Sequence, residues 1–329
     1  MKIFGLSGGR ELAQEIAFHL GTRLGKLKHY ENDMGESIVG LKETVRGSHA
    51  FIIQSMSEPV HSNIMELLLT ITMMKRCSAN KITLVIPFLA YNRQSDVSVM
   101  MSRGSLAFFD LAKMIEICGA DNIIVINLHH EETAGGFEIP MIEIDATELC
   151  VPYFVKKKFK DLMLVGANER LMSRTAALMD KFQERGIKTT LGCAVRGQHS
   201  SHPSFVGDNP AGKDVLIIED IIDTGTTAVR LSNYLRKKGA RDIYMFANHG
   251  LFSKNATKLI DESVLKEVVV TNTVQIPPSK TGQKIYQISV GKLLAEAIIK
   301  VHFNKLENER SIKNQWDPSW TEHKPSNNQ

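Results

Sequence analysis

Val215-Leu216-Ile217-Ile218-Glu219-Asp220-Ile221-Ile222-Asp223-Thr224-Gly225-Thr226-Thr227 carries four consecutive apolar residues into two acids, a third acid and a Gly/Thr turn. A continuous apolar run predicts a parallel strand buried on both faces, Val215 to Ile218, with an acidic exit. Ligands of open α/β sheets bind outside the carboxyl ends of such strands. Beyond the turn the pattern predicts a helix. Leu231 and Leu235 share its apolar face, Lys237 and Lys238 sit in its last turn, and Gly239 fits the cap. A helix N-terminus presents unpaired N–H groups to an anion. Thr224, Gly225, Thr226 and Thr227 surround that end with small side chains and hydroxyls, so the turn suits a phosphate. Asp220 and Asp223, next to Glu219, suit either two ribose hydroxyls or a Mg²⁺ ion. Asp and Thr also serve as ordinary turn and capping residues. The ordered series acid-acid-x-x-acid-Thr-Gly favours a phosphoribosyl site over a generic cap, without choosing a reaction.

The surrounding chain is long enough for two domains, with 329 residues of which 43% are hydrophobic. Its formal net charge of +4 is mild. No stretch approaches the ~20 apolar residues of a membrane span, and the start MKIFGLSGG lacks the apolar region of a signal peptide, so a cytoplasmic protein without a membrane partner is expected. Cys77, Cys118, Cys150 and Cys193 are widely spaced and contain no CxxC pair, which suggests neither a zinc site nor a disulfide framework. Lys156-Lys157-Lys158 reads as a solvated helix end. No aromatic platform accompanies it, and no nucleic-acid partner is expected.

Strand and helix signals alternate throughout, which predicts α/β architecture with largely parallel sheets. Expected strands are Ile3 to Leu6, Ala50 to Gln54, Ile82 to Ile86, Ile123 to Asn127, Leu162 to Val165, Val215 to Ile218, Ile243 to Ala247 and Val268 to Thr271. Expected helices include Glu11 to Leu20, with Leu12, Ile16 and Leu20 on one face, and Ile64 to Met74. The chain also repeats itself. Gly119-Ala120-Asp121-Asn122-Ile123-Ile124 leading to His129 parallels Gly239-Ala240-Arg241-Asp242-Ile243-Tyr244 leading to His249, and Lys81 to Ile86 parallels Lys213 to Ile218. Two related domains follow, 1–147 and 148–304, with a polar tail at 305–329 whose order would depend on Trp316 or Trp320 finding a pocket. Only the second copy carries the acidic turn.

With the turn and the duplication in place, the chain resembles the ribose-phosphate pyrophosphokinases, or phosphoribosyl pyrophosphate synthetases, from about Gly5 to His302. The resemblance rests on Thr44-Val45-Arg46-Gly47, Phe51-Ile52-Ile53-Gln54-Ser55, Met65-Glu66-Leu67-Leu68, Val85-Ile86-Pro87-Phe88, Asn127-Leu128-His129, Gly135-Gly136-Phe137, Val206-Gly207-Asp208 and Leu294-Ala295-Glu296-Ala297-Ile298. It implies two phosphoribosyltransferase-like domains, each a mainly parallel sheet flanked by helices. It also implies transfer of the diphosphoryl group of MgATP to ribose 5-phosphate, giving phosphoribosyl pyrophosphate and AMP. Ribose 5-phosphate would bind Glu219, Asp220, Asp223, Thr224, Gly225, Thr226 and Thr227. ATP would meet Arg93 and Gln94, with Tyr30 and Asn32 supplied by a neighbouring subunit. His129 would contact Mg²⁺ or phosphate, and Arg46 and Arg103 match positions near a regulatory site. Oligomers are implied, homomeric or formed with synthetase paralogues.

The chain departs from the family where the chemistry is expected. Asn127 stands in place of an Asp, which removes a charge from the Mg²⁺ site beside His129. In Gly166-Ala167-Asn168-Glu169-Arg170-Leu171, Asn168 replaces an Asp, and Arg170 and Leu171 replace two glycines of a loop that approaches the pyrophosphate. The loop that would close over the phosphates retains Arg196 as its candidate catalytic cation, without a lysine. Such losses resemble the non-catalytic associated subunits of the family, whereas the complete acidic turn resembles the catalytic ones. The expected function is therefore a synthetase-family subunit that is weak or inactive alone. The alternatives are a competent divergent diphosphokinase and a salvage phosphoribosyltransferase, whose Glu-Asp-Ile-Ile-Asp-Thr-Gly string is very similar.

Overall fold

A computed structural model describes residues 1–94, 105–195 and 204–303. By their contacts they divide into two compact units. The first holds Met1–Asp145, Thr273–Gln275 and residues 290–303; the second holds Ala146–Asn272 and Ile276–Ser289.

The first unit is built on five parallel strands: β1 (Lys2–Gly5), β4 (His49–Ile53), β5 (Lys81–Ile86), β6 (Asn122–Ile126) and β7 (Met141–Ile144), in the order β1-β4-β5-β6-β7. β4 and β6 are buried along their whole length, as expected of strands covered on both faces. Its helices are α1 (Arg10–His19), α2 (Val60–Arg76), α3 (Ala107–Cys118) and α8 (Gly291–His302). Leu12 and Ile16 of α1 are buried, but Leu20, expected on the same face, lies past the helix as its C-cap. α2 runs well beyond the expected Ile64 to Met74, and Met74 is a core residue. A hairpin of β2 (Leu27–Glu31) and β3 (Ser37–Leu41) packs on α2.

The second unit contains a seven-stranded sheet. Its strands are β8 (Leu162–Gly166), β9 (Thr189–Val195), β10 (Ser204–Gly207), β11 (Asp214–Ile222), β12 (Ile243–Gly250), β13 (Leu265–Thr271) and β14 (Ile285–Ile288), ordered β10-β9-β8-β11-β12-β13-β14. Every pair is parallel except β10 with β9. α4 (Cys150–Val155), α5 (Met172–Gln183), α6 (Thr226–Lys237) and α7 (Ala256–Asp261) accompany it. β11 is central, with Val215 opposite Met163 on one side and Ile243 on the other. It is longer than the apolar run predicts, because pairing continues past the acids to Gly250 of β12.

The internal repeat is visible in each unit taken separately. Gly119 and Gly239 follow α3 and α6 with positive φ of 105° and 90°, where a side chain would be strained. They lead into β6 and β12, each parallel to the strand that precedes its helix, β5 and β11. Lys156 caps α4, while Lys157 pairs with Glu267 at 2.7 Å and lies over Tyr153, so the lysine run is not wholly solvated. Among the described residues no helix is long and apolar enough to cross a membrane. The tail and its two tryptophans lie outside the described residues.

Candidate functional site

β11 delivers the acids in two ways. Glu219 and Asp220 lie inside the strand, so its alternation sends their side chains to opposite faces: Glu219 is half-buried and Asp220 is 3% exposed. Asp223 is the first residue past the strand. Its carbonyl accepts from the Ser253 N–H at 3.0 Å, which ties the turn to the exit of β12. Gly225 then takes φ 73° as the N-cap of α6. A non-glycine residue is disfavoured there, because a Cβ crowds the backbone in the left-handed region. No side chain caps α6, so its first-turn N–H groups face outward from the turn. Thr224 Oγ1 donates to Thr226 Oγ1 at 3.2 Å, and Thr226 and Thr227 are exposed at the mouth. The arrangement offers N–H and O–H donors to an anion and carboxylates to hydroxyls or a cation.

β8, adjacent to β11, ends beside this turn, and the Ala167 N–H donates to Ile218 O at 2.9 Å. Asn168 Oδ1 accepts from the Arg170 N–H at 3.1 Å and caps a short 3₁₀ helix, Glu169–Leu171. That helix drops Leu171 into the core with Val165, Ile217 and Leu231, and leaves Glu169 and Arg170 exposed. The loop is therefore anchored by an apolar side chain rather than kept open by glycines.

In the first unit, β5 and β6 bring a second set of residues together at their carboxyl ends. Arg93 and Gln94 are exposed on a 3₁₀ turn, Asn92–Gln94, that follows β5. His129 follows β6. The buried Asn92 joins them: its Oδ1 accepts from the backbone N–H groups of His129 at 2.5 Å and His130 at 3.2 Å, and its Nδ2 donates to Thr133 Oγ1 at 2.7 Å. Asn92 was not foreseen from the sequence. Its one signal is its position immediately before Arg93. Asn127 is 2% exposed with φ 39°, a conformation Asn adopts more readily than most residues, and its Nδ2 donates to Asp145 Oδ1 at 2.8 Å.

Tyr30 sits on β2, 43% exposed, with Lys28 Nζ 4.5 Å from its ring centroid. Asn32 forms the hairpin turn: its Oδ1 accepts from the N–H groups of Met34 and Glu36, and its Nδ2 donates to Glu36 Oε2 at 2.6 Å. Arg46 is exposed on the turn before β4. Arg103 and Arg196 lie outside the described residues.

Among the described residues no three His, Cys, Asp or Glu side chains gather into a metal-binding group. Mg²⁺ commonly uses one or two carboxylates and completes its shell with water and substrate phosphate oxygens. Asp220 and Asp223 fit that more limited demand.

Against known proteins, the N-terminal domain of ribose phosphate pyrophosphokinase matches residues 1–119 and the phosphoribosyl synthetase-associated domain matches residues 174–309. The ribose-phosphate pyrophosphokinase of Bacillus subtilis is 35% identical over 307 residues, spanning 92% of this chain and 94% of the relative. The chain belongs to the ribose-phosphate pyrophosphokinase family. The Corynebacterium ammoniagenes ribose-phosphate pyrophosphokinase is also 35% identical, over 302 residues, with 92% and 94% covered. The phosphoribosylpyrophosphate synthetase of Mycobacterium smegmatis shares the fold with a TM-score of 0.84 at 28% identity, covering 92% of this chain and 99% of that one. This family member has the five- and seven-stranded sheets and the β11 turn, with Asn127 after β6 and Leu171 after β8.

Proposed function

We propose that this chain is a subunit of a ribose-phosphate pyrophosphokinase assembly, homomeric or shared with paralogues, and that alone it transfers the diphosphoryl group weakly or not at all. Ribose 5-phosphate binds the β11–α6 turn: the α6 N–H groups and Thr224 to Thr227 take the phosphate, and Asp220 and Asp223 take the ribose hydroxyls or a Mg²⁺ ion. ATP binds the first unit, where Arg93 pairs phosphate, Gln94 offers amide contacts and His129 stands near the phosphates or Mg²⁺. Bound Mg²⁺ supplies neutralisation of charge on the phosphoryl oxygens. Glu219 stiffens the approach to the turn, since its Oε1 accepts the Asp220 N–H at 3.0 Å. The cytoplasm is the proposed compartment.

One observation carries this reading: the Gly/Thr turn at the start of α6 stands next to a β8 exit loop anchored by Leu171, with Arg170 exposed. The first favours substrate binding; the second closes the backbone approach that a glycine loop would give to pyrophosphate. Losing one preorganised contact to the transferring group costs about 10²-fold or more in rate. The test is AMP formation from MgATP and ribose 5-phosphate by the pure chain, with Asp223→Ala beside it, and again after adding a catalytic paralogue. Silence alone with altered paralogue activity supports the proposal. Turnover alone at an ordinary enzymatic rate sinks it. A competent divergent enzyme is the second reading, favoured by the presence of Glu219, Asp220, Asp223 and Thr227 together; it requires that same turnover, abolished by Asp223→Ala.

A further inference from the structure

A polar clasp lies in the first unit, between the end of β1, α2 and the β2–β3 hairpin. Glu66 of α2 is 2% exposed, and its carboxylate is almost wholly surrounded by donors. The Ser7 N–H approaches its two oxygens at 3.3 and 3.1 Å, Ser7 Oγ donates to Oε1 at 3.1 Å, and Gln54 Nε2 donates to Oε2 at 3.1 Å. The remaining contact comes from the hairpin: His29 Nδ1 is 3.3 Å from Glu66 Oε1 and 3.0 Å from Ser7 Oγ. With an acceptor oxygen on each side, Nδ1 carries the proton. Nε2 is buried and has no hydrogen-bond partner among the described residues, so the Nδ1 side alone holds the ring. Both contacts use the same nitrogen, which rules out a relay from serine through imidazole to carboxylate. The cluster is a fastener.

What it fastens is the pleat of β2. Leu27 and His29 turn inward while Lys28 and Tyr30 turn outward, as the period of two requires. A one-residue slip would exchange the two sets, and the His29 contacts oppose it together with the Asn32 turn and the packing of Leu27 and Leu41 against the core. We propose that His29 is a positioning residue, which by its proton to Glu66 and Ser7 holds the hairpin so that Tyr30 presents its ring to ATP. This rests on what the resemblance implies for Tyr30, an ATP contact supplied to a neighbouring subunit, and on the assembly proposed above.

The experiment uses the full chain as wild type, His29→Ala, His29→Asn and Tyr30→Ala, and reads amide hydrogen exchange over residues 27–41 together with calorimetric titrations of MgATP and of ribose 5-phosphate. Asn can place an amide donor close to where Nδ1–H lies. His29→Ala is expected to speed hairpin exchange about tenfold or more, as suits the loss of a hydrogen bond to a charged group, and to weaken MgATP about tenfold with ribose 5-phosphate binding unchanged. His29→Asn restores both in large part, and Tyr30→Ala weakens MgATP without faster exchange. Unchanged exchange in His29→Ala overturns the clasp. Faster exchange with unchanged MgATP affinity, while Tyr30→Ala weakens it, overturns the positioning role. No loss of MgATP affinity in Tyr30→Ala overturns the positioning role by removing the ATP reading of Tyr30. Loss of ribose 5-phosphate binding in His29→Ala also overturns it, in favour of general destabilisation.

Discussion

Single residues set the turn between β11 and α6. Gly225 has 3.4 Å or more around an added Cβ, so the obstacle to substitution is backbone conformation rather than collision. Gly225→Val should cost at least about 1 kcal/mol, read as a fall in urea midpoint, and should weaken ribose 5-phosphate more than MgATP. Equal weakening of both would place the effect elsewhere. His49 supplies a pH dependence of different origin. It lies buried at the start of β4, hydrogen-bonded through Nε2 to Thr83 Oγ1, and its Nδ1 meets Nδ1 of His302 on α8 at 3.2 Å. Burial, with Lys81, His302 and the N-terminus nearby and only Asp121 opposing, lowers its pKa to about 4. A histidine depressed in the fold favours the folded state while it is neutral. Its stabilisation is present above the ordinary value near 6.5 and is lost as pH falls from there toward 4, up to about 3 kcal/mol for one proton. His49→Gln should flatten that limb of a stability–pH profile, and an unchanged slope would assign it to other groups.

At the scale of elements, the sites are made by strand ends and the turns that follow them. Asn92 joins the turn after β5 to the loop after β6, and its removal takes away the acceptor it offers the His129 and His130 N–H groups and the donor it offers Thr133 Oγ1. Asn92→Ala should cost about 1–3 kcal/mol and weaken MgATP while sparing ribose 5-phosphate; full MgATP affinity would detach this bracket from the site. The same scale explains what the sequence could show. β11 and its turn were legible because a fully apolar run, three acids and a glycine each carry a local rule. Its true end was not, since Glu219 and Asp220 look like an exit yet stay in the ladder opposite β12. β9, β10, β14 and the hairpin escaped notice because their half-exposed residues lack the continuous apolar signal of β4 or β6. Asn92 escaped too, because a loop asparagine has no sequence mark separating a bracket from a turn former.

For the whole molecule, the division into units is not a single cut. α8 is the last described helix, yet it packs on α1 in the first unit, burying Leu294, Ala295, Ile298 and Val301. The sequence offers this segment only as the string Leu294-Ala295-Glu296-Ala297-Ile298 inside the expected 148–304 domain, because the contact that groups it with α1 spans nearly the length of the chain. A chain ended after Ser289 should therefore lose the first unit, since each large side chain left without its cover forfeits about 1.5–3 kcal/mol. Proteolysis should then cut within 1–145 before 146–272; the reverse order would contradict the assignment of α8. The family, the two mainly parallel sheets and the β11 turn support the central proposal, that the turn between β11 and α6 holds ribose 5-phosphate. Calorimetric titration of ribose 5-phosphate into the pure chain and into Asp223→Ala tests it most directly. Saturable binding by the wild type, weakened at least about tenfold in a folded variant as expected for a lost charged hydrogen bond, is the predicted result; no binding, or equal binding by the two proteins, would contradict it.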